Sequence, residues 1–130
     1  MKVDKLSQEV LLIVDDEETS DLYLTEILSD HFEKILHAKN GKEAIDLSLE
    51  NSDIKVILMD IKMPVMDGLT ATREIRNFNK DVIIIAQTAY AMLGDRREAI
   101  EAGCNDYITK PILEEKLIKL ITMTLRNMKD

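Results

Sequence analysis

Five side chains of complementary chemistry stand immediately after apolar runs in this sequence. Val10 to Val14 is followed by Asp15 and Asp16, Val56 to Met59 by Asp60, Val82 to Gln87 by Thr88, and Tyr107 to Thr109 by Lys110. If the runs are parallel strands, their C-terminal ends share one sheet edge and the five side chains converge in one crevice. Two carboxylates about 4 Å apart repel by about 4 kcal/mol at an effective dielectric of 20. Three of them together therefore require a cation or a retained proton. All-oxygen ligation favours Mg2+, with Mn2+ as the alternative, over zinc. The Thr88 hydroxyl and the Lys110 ammonium are donors suited to anionic oxygens, such as those of a phosphoryl group. His31 and His37 stand apart from this pattern and read as surface or edge residues rather than ligands.

Taken singly, each residue has a plainer reading. Asp15-Asp16 could cap a helix, Asp60 could close a strand in a turn, Thr88 could be an ordinary β-branched strand residue, and Lys110 could be a loop lysine before a helix-starting proline. Their joint occurrence at the ends of four apolar runs favours one coordinated site.

The elements that must position these residues are legible in the hydropathy pattern. VLLIV (10–14) and KVILM (55–59) are continuous apolar runs, as expected of strands buried on both faces. KILHA (34–38) is shorter and more polar, DVIIIAQ (81–87) supplies a fourth strand, and Asp106 to Thr109 a short fifth. A first helix follows the acidic Glu17-Glu18, with Tyr23, Leu24, Ile27 and Leu28 at helical spacing. Asn40 is placed to cap a second helix in which Ala44, Ile45, Ser48 and Leu49 share a face. Leu69, Thr72, Ile75 and Phe78 mark a third. A fourth is expected from about Tyr90 to Ala102, with Gly94 in its interior and Gly103 as its C-terminal cap. A last amphipathic helix runs from Ile112 with Leu113, Leu117, Leu120, Ile121 and Leu125 as its apolar positions.

Five alternating strand–helix units imply an α/β sandwich with a parallel five-stranded sheet, and right-handed crossovers place helices on both faces. The flavodoxin-like order 2-1-3-4-5 is the natural choice, because KILHA suits an edge whereas VLLIV and KVILM suit the centre. Residues 1–9 read as a tail or linker remnant, 10–127 as one domain, and 128–130 as a C-terminal tail. At 130 residues the chain is long enough for one domain with a substantial core.

Composition narrows the function classes. The net charge of −8, from 25 acidic against 17 basic residues, opposes nucleic-acid binding, which rests on neutralising phosphates. No apolar stretch approaches the roughly 18 residues of a membrane span, and the N-terminus lacks a signal-peptide pattern. The expectation is a cytoplasmic domain without direct membrane insertion. The single Cys104 cannot pair internally and reads as a small buried thiol, in keeping with a reducing compartment.

With these residues in place, the sequence resembles a response-regulator receiver domain of two-component signalling. The resemblance spans Val10 to about Leu125 and is carried by LIVDDEE at 12–18, MDIKMPVMDG at 59–68, QTAYAM at 87–92 and AGCNDYITKPI at 102–112. It implies that Asp60 is the phosphoacceptor, taking a phosphoryl group from a phosphohistidine. It implies Mg2+ held by Asp16, Asp60 and the backbone carbonyl of Lys62, with Asp15 acting mostly through water. By the same resemblance Lys110 neutralises the phosphoryl oxygens, Thr88 moves toward them, and Tyr107 responds as the second switch residue. The Lys110-Pro111 peptide is expected to be cis. Lys62 and Tyr90, two residues beyond Asp60 and Thr88, are where the family tunes acyl-phosphate lifetime.

The wording of QTAYAM and AGCNDYITKPI is most similar to receivers of hybrid sensor histidine kinases. That points to a sensor histidine kinase and a histidine-phosphotransfer domain as partners, with homodimerisation open. A stand-alone regulator, or a receiver joined to a separate output domain, is the alternative. The implied role is a signalling switch rather than an enzyme, although such a domain would catalyse its own phosphotransfer and slow dephosphorylation. Two other classes fit less well. Metal-dependent phosphatases with a strand-end nucleophile commonly carry Asp-x-Asp, whereas Lys62 stands two residues after Asp60. A flavodoxin-like carrier would meet repulsion from Asp15-Asp16 where the flavin phosphate should sit.

Overall fold

The structure, a computed structural model, describes residues 9–63, 66–88 and 94–128. Strand β1 (Val10–Val14), helix α1 (Glu18–Leu28), β2 (Lys34–Ala38), α2 (Gly41–Glu50), β3 (Ile54–Asp60), α3 (Gly68–Arg76), β4 (Ile83–Thr88), α4 (Asp95–Ala102), β5 (Asp106–Thr109) and α5 (Glu114–Met128) follow one another in strict alternation. All four strand pairings are parallel, and the sheet order is β2-β1-β3-β4-β5. This is the expected 2-1-3-4-5 arrangement, with the half-exposed KILHA at one edge.

Strand alternation sorts the core into two layers. Leu12, Val14, Ile57, Met59, Ile84 and Ala86 face α2, α3 and α4, meeting Ala44, Ala71, Ile75 and Ala99. Leu11, Ile13, Val56, Leu58, Ile83 and Ile85 face α1 and α5, meeting Leu24, Leu28, Leu117, Ile121 and Leu125. Strands β1 and β4 are buried along their whole length, which explains why they read as continuous apolar runs rather than alternating ones. Each buried Leu or Ile contributes about 1.5–3 kcal/mol relative to exposure, so these two layers hold the sheet edge in place.

Helix termini follow local chemistry. The Asn40 side chain accepts from Glu43 N at 2.9 Å, and Asp67 accepts from Thr70 N at 2.8 Å; each such cap is worth about 1 kcal/mol. Gly103, at φ +120°, ends α4 as expected, its N–H reaching Ile100 O, while Cys104 N–H reaches Ala99 O. Cys104 is buried, its Sγ 3.8 Å from the Thr72 hydroxyl.

Several local expectations are corrected. Gly94 is not inside the fourth helix. It is the N-cap of a helix beginning at Asp95, at φ +92° in the left-handed region, which a residue with a Cβ rarely adopts. The expected start at Tyr90 lies outside the described residues, as do the 1–8 segment and residues 129–130. Phe78 falls after the end of α3 and is exposed, and Leu49 and Leu113 face solvent rather than the core. On α2, Leu47 rather than Leu49 packs against the core. Among the described residues, no helix is long and apolar enough to cross a membrane.

Candidate functional site

The C-terminal ends of β1 and β3 lie side by side in the sheet, and this adjacency makes the site. Val14 is in register with Met59, so Asp15 and Asp60 emerge as neighbours beyond the last apolar pair. One carboxylate oxygen from each of Asp15, Asp16 and Asp60 lies within 4.8 Å of the others. Asp15 and Asp60 are buried, whereas Asp16 is exposed.

The two buried carboxylates are held in the same way. Asp15 Oδ1 accepts from Glu17 N at 2.9 Å, and Asp60 Oδ1 accepts from Lys62 N at 3.0 Å. In both, the backbone two residues on curls back to its own aspartate, the Asx-turn habit of this side chain. Asp15 Oδ2 also takes a hydrogen bond from the Ser20 hydroxyl at 2.5 Å. Each carboxylate is thereby fixed on one side and keeps oxygen lone pairs for other partners.

Lys110 approaches from β5. Its Nζ lies 3.4 Å from Asp15 Oδ2, 3.8 Å from Asp60 Oδ2 and 4.0 Å from Glu17 Oε1. The Lys110-Pro111 peptide is cis, and Lys110 N donates to Thr88 O at 2.8 Å. Just beyond, the Tyr23 hydroxyl donates to the carbonyl of Ile112, tying α1 to this segment.

Burial pushes the Asp60 carboxyl up to about 6 from 3.8; the Lys62 N–H and Lys110 oppose the rise, and Asp15 and Asp16 add to it. Desolvation thus outweighs the single nearby ammonium. A divalent cation among the three carboxylates would reverse that balance. The all-oxygen donor set fits Mg2+ or Mn2+, hard cations that accept carboxylates and water.

Thr88 is fully buried at the end of β4. Tyr107, in register with Ala86, is partly buried and packs against the α2–α3–α4 layer. Burial and nearby Asp95 raise its phenol above the usual range. By strand alternation Thr88 and Tyr107 face this same layer. Lys62 is exposed, its backbone turned toward Asp60. The histidines are engaged elsewhere: His31 Nε2 with Glu114 and His37 Nδ1 with Asp21, each at 2.9 Å.

Sequence reasoning misses Glu17 and Ser20 as parts of the site, and Gln87 as its neighbour in register with Asp60. The Asp-x-Glu spacing after β1 is the signal for the first, since an Asx turn requires the N–H at that offset. Ser20 becomes visible only once α1 places it over Asp15. Gln87 reads as the end of an apolar run, yet it is a buried polar residue beside Asp60.

Comparison with known proteins agrees with this geometry. The family model described as the response regulator receiver domain matches residues 11–122. The chemotaxis protein CheY of Halobacterium salinarum is 37% identical over 88% of this chain and 95% of its own length. Hybrid signal transduction histidine kinase I of Dictyostelium discoideum is 38% identical over 89% of this chain, which spans only 7% of that kinase. Among solved structures, the receiver domain of Saccharomyces cerevisiae Ssk1, crystallised with the histidine phosphotransfer protein Ypd1, superposes with a TM-score of 0.83. It is 36% identical, covering 93% of this chain and 90% of the other. Five alternating units in the order 2-1-3-4-5, an acidic cluster at the strand ends and a family match over most of the chain lead to one conclusion: this chain belongs to the response regulator receiver domains.

Proposed function

We propose that this receiver domain takes a phosphoryl group onto Asp60 from a phosphohistidine and relays it as a change of packing. The observation that carries the reading is the cluster of Asp15, Asp16 and Asp60 facing Lys110 at the edge of the sheet. In the step proposed, an Asp60 carboxylate oxygen attacks phosphorus and forms the acyl phosphate. The P–N bond to the donor imidazole breaks, and the imidazole leaves with the bonding electrons and takes up a proton. The Lys62 N–H orients the attacking carboxylate through its other oxygen. Lys110 lies close enough to both Asp15 and Asp60 to neutralise a transferred oxygen there.

Asp15, Asp16, Asp60 and the Lys62 carbonyl would hold Mg2+, which when bound offsets the phosphoryl charge. The incoming group adds about 1.5–2 negative charges and three acceptor oxygens. The Thr88 hydroxyl, at the adjoining strand end, is the donor that responds. Tyr107, on the same face of the sheet, is the side chain whose packing that movement releases. Both belong to the layer against α4, so the response is read on the α4–β5 side. The switching unit is residues 10–127, with 1–9 and 128–130 outside it.

The partners on this reading are a sensor histidine kinase as donor and a histidine-phosphotransfer domain as the onward partner, supported by the likeness to hybrid-kinase receivers and to the Ssk1 receiver. The equally close likeness to CheY, covered almost end to end, supports the stand-alone alternative. The test is incubation with Mg2+ and acetyl phosphate followed by intact-mass analysis. One added phosphoryl group is expected on the unmodified chain and none on Asp60→Asn. An unmodified chain that gains nothing, or a variant that gains as much, refutes the proposal.

A further inference from the structure

Gln87 is a polar side chain that the chemistry above leaves unused. It is fully buried in β4, and neither its Oε1 nor its Nε2 has a hydrogen-bond partner among the described residues. A buried carboxamide without partners is disfavoured against an apolar side chain of similar size, and the four residues before it, Ile83 to Ala86, are all apolar.

Its direction follows from the strand. Ile83 and Ile85 point into the α1–α5 layer, and Ile84 and Ala86 into the opposite one, so Gln87 points to the α1–α5 side. It is in register with Asp60 on β3 and with Ile108 on β5, and in-register neighbours share a face. Lys110 comes two residues after Ile108. Gln87 therefore stands one strand from Asp60 and one strand from the segment that carries Lys110. Backbone bonds secure both relations, since Gln87 O accepts from Ile61 N at 3.1 Å and Thr88 O accepts from Lys110 N at 2.8 Å.

The chemistry of the three groups is complementary. Lys110 is a donor only, and its ammonium contacts to Asp15, Asp60 and Glu17 are long, 3.4, 3.8 and 4.0 Å. An ionised carboxylate is an acceptor only. A carboxamide carries both functions without net charge, so it can bridge the two without adding to a crowded charge cluster. We propose that Gln87 is a positioning residue of this site. Its Oε1 accepts from the Lys110 ammonium and its Nε2 donates toward Asp60, each through one buried bound water. The role in phosphoryl transfer rests on the function proposed above; the bridge itself does not.

Two measurements test it. In the unmodified protein without Mg2+, the Gln87 side-chain amide resonances should differ from those in Lys110→Met by NMR. Resonances that stay unchanged overturn the proposal, whether or not the chain is ever phosphorylated. Gln87→Met, similar in length but without the amide, should lower the maximal rate of phosphorylation by acetyl phosphate about tenfold. The Mg2+ concentration for half-maximal rate should change less than twofold. An unchanged maximal rate together with a higher melting temperature shows Gln87 to be only an unfavourable core residue, and also overturns the proposal. Gln87→Leu is the second variant should Gln87→Met fail to fold. An unmodified chain that acetyl phosphate does not phosphorylate refutes the proposed function, while the amide resonances still decide the role of Gln87.

Discussion

Replacing Asp60 by asparagine should stabilise the metal-free protein at neutral pH. The asparagine side chain would keep the acceptor for the Lys62 N–H while removing a charge that the fold has desolvated. The Asp60 carboxyl titrates at about 6 in the folded protein against 3.8 as its ordinary value. Between those values the folded state binds more protons than the unfolded chain, so this group's contribution to stability falls as pH rises through that window. Its cost is nearly absent below 3.8 and complete above 6. The difference of about 2.2 pH units, at 1.36 kcal/mol each, corresponds to about 3 kcal/mol. Water penetration and relaxation soften a buried charge, so the expected gain for Asp60→Asn is about 1–3 kcal/mol at pH 7.5. For a chain of this size that is a rise in melting temperature of about 3–10 °C. Urea denaturation in EDTA at pH 7.5 and pH 4.5 measures it, and the gain should shrink to less than half at the lower pH. Saturating Mg2+ should stabilise the unmodified protein and narrow the gap. A variant no more stable at pH 7.5, or a gain that persists undiminished at pH 4.5, refutes the reasoning that burial dominates at Asp60.

Two further substitutions probe the frame of the site. A Cβ on Gly68 would lie 2.3 Å from Asp60 O and 2.8 Å from Ile61 Cα, so Gly68→Ala must displace backbone. It should cost about 1–3 kcal/mol and weaken Mg2+ binding in a calorimetric titration. Arg76 donates to Gly103 O, Asn79 O and Asn105 Oδ1 at 2.8, 3.1 and 3.0 Å, tying α3 to the start of β5 away from the carboxylates. Arg76→Met should lose about 1.5–3 kcal/mol in urea denaturation yet leave Mg2+ affinity unchanged, separating stability from function.

Much of the molecule is legible in the chain because its signals are local. The alternation of apolar runs with helical periodicity implies the α/β class, and the polarity of KILHA marks the edge of the sheet. Asn40 and Gly103 announce their caps by residue type alone. The strand-ending Asp15, Asp16, Asp60, Thr88 and Lys110 are visible because parallel strands must share one edge.

What periodicity does not carry is which side of a terminus a residue falls on. Gly94 reads equally well inside a helix or at its start, and the positive φ distinguishes the two. Leu49, Phe78 and Leu113 have core-like types, but their exposure depends on where neighbouring helices end. Gln87 shows the limit most clearly. In sequence it closes an apolar run, and its register with Asp60 and Ile108 is what makes it a buried polar group beside the carboxylates. Which side chains reach the sheet edge can be read from short segments, because strand direction and hydropathy are local properties. How those side chains are held, and how strongly Asp60 resists ionisation, emerges only on folding, because desolvation and register depend on elements distant in the chain.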